Sequence, residues 1–218
     1  MTKPAACIFD FDGILADTEE LHYQSFQEVL EPLGAGFSWE TYRDVYMAFD
    51  SSQVFARAMR AAEIDPDVHG LTELIDRKVD AFERLLARAE VTPLPGAVEA
   101  VRLAHSFGPV ALCTGAERRD VEPLLERFGL AALFRAVVTA DDVQISKPDP
   151  ECYARAVELL GRPAEDCLAV EDTPGGLRAA AGAGCQTLGV TTTHKLQELA
   201  PYADRVIGSL REFPGLFD

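Results

Sequence analysis

Short apolar runs alternate with longer helical patterns along most of this chain, and the runs end in polar or acidic residues. Such runs are typical of strands that are buried on both faces of a parallel sheet. We predict strands over residues 5–11, 109–114, 136–140, 167–170, 186–190 and 205–207. Helical periodicity over 97–107, 119–128, 152–160 and 177–183 lies between them. The alternation predicts an α/β fold with a doubly wound, Rossmann-like parallel sheet.

Residues 18–90 break the alternation, because they carry helical periodicity without a candidate strand. The helical patterns cover residues 19–33, 39–49, 52–62 and 71–89, with turn residues between them. A helical block directly after the first strand indicates an inserted α-helical cap domain. The stiff segment Pro93-Leu94-Pro95-Gly96 then returns the chain to the core. We therefore predict a core of residues 1–16 and 93–218 and a cap of residues 17–92.

The charge balance narrows the range of partners. The chain has 36 acidic and 20 Lys and Arg residues, a formal charge of −16, which disfavours binding to nucleic acid or to anionic membranes. A phosphorylated ligand would need local cations, amide N–H groups or a metal. The sequence has no apolar run of the length that a signal peptide or a membrane span needs, and its five cysteines form no C-x-x-C pair. We expect a cytoplasmic protein whose cysteines are buried thiols.

The first predicted strand ends in Asp10-Phe11-Asp12-Gly13. Residues i and i+2 of a strand share a face, so the carboxylates of Asp10 and Asp12 are expected to point the same way. Two carboxylates this close repel each other unless a cation lies between them, and Mg²⁺ prefers such oxygen ligands. The alternative is a pair of solvated acids in a loop.

Three other strand ends carry side chains of complementary chemistry. Thr114 and Gly115 can cradle an anionic oxygen, although Thr114 taken alone is more simply a helix N-cap. Lys147 precedes Pro148 and Pro150, which restrict the backbone, and it can clamp a phosphate or a carboxylate, or it is an exposed lysine. Glu171 and Asp172 can bind a metal, or they cap the next helix. The carboxyl ends of parallel strands lie along one edge of the sheet, so the combination predicts a phosphate and metal site there.

The segments FDFDGILADT, LCTGA, SKPDP and VEDTPGG, in this order, resemble the four signature motifs of the haloacid dehalogenase superfamily. The helical insert and the segment GGLRAAAGAG resemble the subgroup of β-phosphoglucomutase and phosphoglycolate-type phosphatases. The resemblance implies that Asp10 is the nucleophile and Asp12 the general acid and base. It also implies that Asp10, the backbone carbonyl of Asp12, Glu171 and Asp172 hold Mg²⁺, and that Thr114, Gly115 and Lys147 hold the phosphoryl group. Many relatives carry Asn where this chain has Gly115, which weakens a substrate assignment but keeps the backbone N–H.

The cap should determine specificity. His22 and Lys78 match positions at which β-phosphoglucomutase-like relatives carry a His and a Lys on facing cap helices, although His22 can equally be a structural histidine. Residues 48–53 match the specificity loop, where mutase relatives place an arginine. This chain offers Asp50, Ser51 and Ser52 as contacts for a polar substrate and has no cation before Arg57.

The resemblance implies a Mg²⁺-dependent phosphatase that hydrolyses a small metabolite, such as a sugar or polyol monophosphate, through an aspartyl-phosphate. The alternatives are a phosphosugar mutase of the β-phosphoglucomutase type and, more remotely, a protein that binds a phosphorylated metabolite without catalysis. We expect a monomer or a weak homodimer. The other histidines, His69, His105 and His194, are interpreted as surface or loop residues.

Overall fold

The computed structural model describes residues 3–47, 49–66 and 70–217. The chain divides into two compact units, Met1–Asp17 with Thr92–Asp218 and the intervening Thr18–Val91. Each division lies one residue from the boundary that the sequence predicts. In the part that the structure describes, no helix combines the length and the apolar character that crossing a membrane would require.

The larger unit contains a six-stranded parallel sheet in the order β3-β2-β1-β4-β5-β6. The chain enters at the centre, extends the sheet to one side and then crosses to the other side, which confirms the predicted doubly wound, Rossmann-like core. Residues on both faces of β1, β2 and β4 are fully buried, which explains their continuous apolar sequence. The strands are β1 (Ala6–Phe9), β2 (Val110–Cys113), β3 (Phe134–Val138), β4 (Cys167–Glu171), β5 (Gln186–Val190) and β6 (Arg205–Ile207).

Apart from the short helix Leu196–Leu199, which the sequence analysis did not predict, the helices of both units follow the predicted periodic segments. In the smaller unit they are α1 (Glu19–Leu30), α2 (Ser51–Ala61) and α3 (Leu71–Leu86), with a short irregular helical segment over Trp39–Thr41 and Tyr42–Tyr46. In the larger unit they are α4 (Ala97–Phe107), α5 (Arg118–Arg127), α6 (Glu151–Leu160), α7 (Pro174–Gly182) and α8 (Leu196–Leu199).

One predicted strand boundary and one alternative for a helix cap were wrong near the site. Strand β3 ends at Val138 rather than at residue 140, because Thr139 begins a turn in which its backbone N–H and its hydroxyl donate to the Asp142 carboxylate at 2.9 and 3.0 Å. The helix after β2 begins at Arg118 with Glu117 as its N-cap, so three residues separate Thr114 from it. The side chain of Thr114 is therefore not the N-cap of that helix.

The smaller unit has its own core, built mainly from aromatic side chains. Phe26 of α1 packs edge-on against Phe55 of α2, with ring centroids 5.3 Å apart, and Tyr46 lies 4.6 Å from Phe37. Burial of these rings stabilises a small unit whose described residues form helices and no strand. Ala48 of the predicted specificity loop and His69 lie outside the described residues.

Candidate active site

Asp10 lies immediately beyond β1, at the centre of the sheet edge. Its backbone N–H donates to the carbonyl of Val170 at 3.0 Å, which continues the pairing of β1 with β4. Its side chain is buried, whereas Asp12 is half-buried. Gly13 follows with φ of +72°, a conformation that favours glycine, and lets the chain turn away from the sheet.

Lys147 joins the ends of three strands. Its ammonium donates to Asp10 Oδ1 at 2.9 Å, to Glu171 Oε1 at 2.6 Å and to the carbonyl oxygen of Cys113 at 3.0 Å. An ammonium has three N–H donors, so each of them has an acceptor. The Lys147 side chain is 12% exposed, which contradicts the alternative of an ordinary surface lysine.

The loop that delivers Lys147 is held by Glu151, the first residue of α6. The Glu151 carboxylate accepts hydrogen bonds from the backbone N–H groups of Gln144 and Ile145, at 3.0 and 2.8 Å. Asp149 in turn accepts from the Glu151 N–H at 3.0 Å. The prolines at 148 and 150 already restrict the backbone of this loop, and these hydrogen bonds restrict it further. Together they fix the position from which Lys147 reaches the sheet edge.

Three carboxylates converge on this edge. One oxygen atom from each of Asp10, Glu171 and Asp172 lies within 4.8 Å of the others, and all three residues are buried. Hard divalent cations prefer carboxylate oxygens, and a cation would offset the excess of negative charge that Lys147 alone leaves. The donor set therefore fits an ion such as Mg²⁺.

The electrostatics of the cluster reflect its burial. Burial and, after it, the carboxylate of Glu171 raise the pKa of Asp10 to about 8, although Lys147 acts in the opposite direction. Asp12 also raises the pKa of Asp10, so the two acids of the first strand end do sense each other. Burial alone would lower the pKa of Lys147, but Asp10 and Glu171 keep it well above its ordinary value. Lys147 therefore stays protonated and provides the permanent positive charge.

The two acids at the carboxyl end of β4, Glu171 and Asp172, have different surroundings. Glu171 Oε2 accepts from the N–H groups of Asp172 and Thr173 and from the Thr173 hydroxyl, at 3.2, 3.3 and 3.1 Å. Its Oε1 accepts from Lys147 and from the Tyr153 hydroxyl, the latter at 3.0 Å. The Thr193 hydroxyl donates to Asp172 Oδ2. Direct ligation of a metal by Glu171 would compete with five hydrogen bonds, which favours Asp10 and Asp172 as ligands.

Thr114 and Gly115 lie at the end of β2, beside Lys147. The Thr114 N–H donates to the Val138 carbonyl at 2.9 Å, and its hydroxyl accepts from the Ala116 N–H at 3.1 Å. No atom lies within 4 Å of the position that a Cβ of Gly115 would occupy, so this loop has room for a ligand.

Sequence reasoning missed Tyr153, Thr173 and Thr193 as members of the site. Tyr153 occupies an apolar position of α6, where the helical pattern alone predicts an ordinary core residue. Thr193 follows the carboxyl end of β5, so the rule that identified the other strand ends would have found it. Its hydroxyl lies 2.9 Å from His194 Nδ1, which brings a histidine that we interpreted as a loop residue next to the site.

The cap candidates form a separate group within the smaller unit. His22 of α1 stacks on Phe82 of α3, with centroids 4.4 Å apart, and the Lys78 ammonium lies 5.2 Å from the same ring. The side chains of His22 and Lys78 are both buried. Burial is the larger cause and the charge of Lys78 the smaller one of a pKa of His22 that lies well below its ordinary value. His22 is therefore neutral near pH 7, beside a buried lysine.

The loop before α2 places its candidate residues at the start of that helix. Asp50 is the N-cap, and its Oδ1 accepts from the Gln53 N–H at 2.9 Å. Ser51 is buried and Ser52 half-buried. Arg57 is the first basic residue after the loop. Its guanidinium lies 4.0 Å from the centroid of the Phe49 ring and so stacks on an aromatic side chain of the loop.

Comparisons with known proteins identify the family of this chain. The family described as haloacid dehalogenase-like hydrolase matches residues 7–190. The chain is 34% identical over 220 residues to Protein CbbY of Cereibacter sphaeroides, covering 97% of this chain and 94% of that protein. It is 33% identical over 189 residues to the fructose-1-phosphate phosphatase YqaB of Escherichia coli, covering 85% and 96%.

The chain belongs to the haloacid dehalogenase-like hydrolases. Its fold agrees with a crystal structure of mutant CbbY from Rhodobacter sphaeroides in complex with xylulose-(1,5)bisphosphate, at 30% identity, a TM-score of 0.87 and 96% coverage of each chain. The relatives that are named as phosphatases identify this hydrolase as one that acts on phosphoric monoesters.

Two adjacent glycines of this hydrolase provide a test of how tightly Glu171 is held. A Cβ on Gly176 would lie 1.8 Å from Glu171 Oε1, whereas a Cβ on Gly175 would meet no atom within 4 Å. We expect Gly176→Ala to displace a carboxylate that five hydrogen bonds hold, and to lower both the melting temperature and phosphate release, the latter roughly 10-fold or more. Gly175→Ala is the matched control and should change stability by no more than about 1 kcal/mol. Equal effects of the two substitutions would contradict the expectation.

Proposed function

We propose that this hydrolase is a Mg²⁺-dependent phosphatase that acts on a small phosphorylated metabolite through an aspartyl-phosphate on Asp10. The observation that carries the proposal is the position of Lys147, whose ammonium bonds both Asp10 and Glu171 beside the carboxylate of Asp172. A nucleophilic carboxylate, a fixed cation and a metal-binding acid pair are the groups that phosphoryl transfer requires.

Asp10 begins the proposed reaction. One of its carboxylate oxygens attacks phosphorus in line, and the bond from phosphorus to the alcohol oxygen breaks as Asp12 donates a proton to that oxygen. A water molecule then attacks the aspartyl-phosphate while Asp12 takes its proton. Inorganic phosphate leaves, and the Asp10 carboxylate is regenerated. Thr114, the Gly115 N–H and Lys147 are proposed to hold the phosphoryl oxygens during both steps.

Asp10, the carbonyl of Asp12 and Asp172 are proposed as the protein ligands of Mg²⁺, with Glu171 supporting them. A bound Mg²⁺ offsets negative charge on the phosphoryl oxygens and so permits the approach of an anionic nucleophile. Lys147 has a second task, because it keeps the Asp10 carboxylate oriented through a hydrogen bond of 2.9 Å.

A sugar or polyol monophosphate is the proposed substrate class. The related YqaB is named as a fructose-1-phosphate phosphatase, and a relative from Thermotoga maritima as a phosphorylated carbohydrates phosphatase. We propose that residues 17–92 form the cap that selects the substrate, with Asp50, Ser51 and Ser52 facing its hydroxyls. The carboxylate of Asp50 opposes a second phosphate at that position, which favours hydrolysis of a monophosphate over a mutase reaction. His22 and Lys78 are proposed to sense the substrate from the other cap helices.

Phosphate release from a panel of sugar, polyol and nucleotide monophosphates tests the proposal. We expect release from sugar or polyol monophosphates with Mg²⁺, and loss of that release with EDTA. A sugar bisphosphate in the panel tests the argument from Asp50, because it should be a poorer substrate. Release that persists in EDTA would contradict the metal requirement. Isomerisation of β-glucose 1-phosphate with a bisphosphate primer, without net release, would favour the mutase.

A further inference from the structure

Tyr153 contacts the catalytic cluster from outside the four motifs. It lies on α6, its side chain is fully buried, and its hydroxyl donates to Glu171 Oε1 at 3.0 Å. The ammonium of Lys147 lies 5.1 Å from the centroid of its ring. One side chain therefore contacts both the acid and the cation that connect the strand ends.

The apolar packing of Tyr153 does not account for its hydroxyl. The residue belongs to a core cluster whose other members are apolar or carry thiols, among them Ile8, Cys113 and Ala156. Burying a phenol hydroxyl costs free energy unless it finds a hydrogen-bond partner, and phenylalanine would fill the same space without that cost. The partner that it finds is an oxygen of Glu171.

The hydrogen bonds of Glu171 fix the rotation of its carboxylate. Both donors to Oε1, Tyr153 and Lys147, come from the segment around α6, and the donors to Oε2 come from residues 172 and 173. Without the phenol, Oε1 would keep Lys147 alone. The Glu171 carboxylate could then rotate, and the Lys147 ammonium could move with it. That movement would break the hydrogen bond from Lys147 to Asp10.

We propose that Tyr153 is a positioning residue, which holds Glu171 in the orientation that keeps Lys147 on Asp10 and leaves Asp172 directed at the metal. This inference rests on the proposed function. It requires that the Tyr153 hydroxyl acts through Glu171 and Lys147, without contact with the substrate. Its loss should therefore affect metal binding and turnover more than the affinity for the substrate.

Tyr153→Phe keeps the ring under Lys147 and removes only the hydrogen bond. We expect the Mg²⁺ concentration for half-maximal phosphate release to rise about 10-fold and kcat to fall by a similar factor, with KM changed by less than about twofold. Tyr202→Phe is the matched control. Tyr202 is 40% exposed, and its ring lies 5.5 Å from the Arg178 guanidinium, so the control also keeps a cation over a ring. It should match the wild type.

Calorimetric titration of each protein with Mg²⁺ separates this inference from the proposed function. A wild type that binds Mg²⁺ but releases no phosphate would refute the function, while weaker Mg²⁺ binding by Tyr153→Phe would still support the positioning role. The role is overturned if Tyr153→Phe loses melting temperature but keeps wild-type Mg²⁺ binding and kcat, because the hydroxyl would then be only structural. Failure of the wild type to bind Mg²⁺ would overturn it as well.

Discussion

Asp10→Asn should abolish phosphate release and yet raise the melting temperature of the metal-free protein. An amide cannot form the acyl-phosphate, so we expect a loss of about 10⁴-fold or more in kcat. The same change removes one of three clustered buried carboxylates, two of which form ion pairs with Lys147. Since burial and Glu171 both disfavour the charge on Asp10, its removal relieves repulsion. A gain of about 1 kcal/mol would raise the melting temperature by roughly 2–4 °C.

The measurements are phosphate release and thermal unfolding in EDTA and in Mg²⁺. Mg²⁺ should stabilise the wild type more than Asp10→Asn, because the variant has lost a charged ligand. Asp166→Asn serves as the control, since Asp166 is an exposed aspartate of the same unit and should leave both measurements unchanged. Residual turnover within 100-fold of the wild type would exclude Asp10 as the nucleophile. A lower melting temperature of metal-free Asp10→Asn would refute the electrostatic account of the cluster.

The parallel sheet was predictable because β1, β2 and β4 are buried on both faces and so appear as continuous apolar runs. The ends of the elements were less predictable. Thr139 is β-branched and extends the apparent strand, but its hydroxyl bonds Asp142 and starts a turn. Local hydrogen bonds of this kind compete with the backbone hydrogen bonds of a strand. The amino-acid sequence does not reveal whether a residue such as Thr139 continues the strand or begins a turn.

The membership of the candidate site followed largely from one rule, that parallel strands present their carboxyl ends at one edge. The rule brought together Asp10, Thr114 and Glu171 before any contact was known. It could not predict the three acceptors of Lys147, because that residue arrives on a loop whose path depends on Glu151. The rule also could not identify Tyr153 as a member of the site. Tyr153 lies on the buried face of α6, where the apolar periodicity predicts an ordinary core residue.

The Lys147 ammonium should contribute as much to folding as to catalysis, and Lys147→Met tests both. Methionine keeps an unbranched side chain of similar length but leaves Asp10 and Glu171 buried without their shared cation. Removing one partner of a buried ion pair costs about 3–5 kcal/mol, which corresponds to roughly 10 °C in melting temperature for a chain of this size. Loss of the fixed cation should lower kcat/KM by about 10²–10³-fold or more.

Added Mg²⁺ distinguishes the electrostatic contribution of Lys147 from its packing. A divalent cation bound to Asp10 and Asp172 would offset part of the uncompensated charge, so Mg²⁺ should raise the melting temperature of Lys147→Met by more than that of the wild type. The activity should stay low, because the cation no longer fixes the orientation of the Asp10 carboxylate. Lys3→Met is the control, since Lys3 is exposed and its ammonium lies 5.5 Å from the centroid of the Phe107 ring. Equal melting temperatures of the two variants would show that the Lys147 ion pairs contribute nothing to folding, and the three carboxylates would then require a different source of compensation.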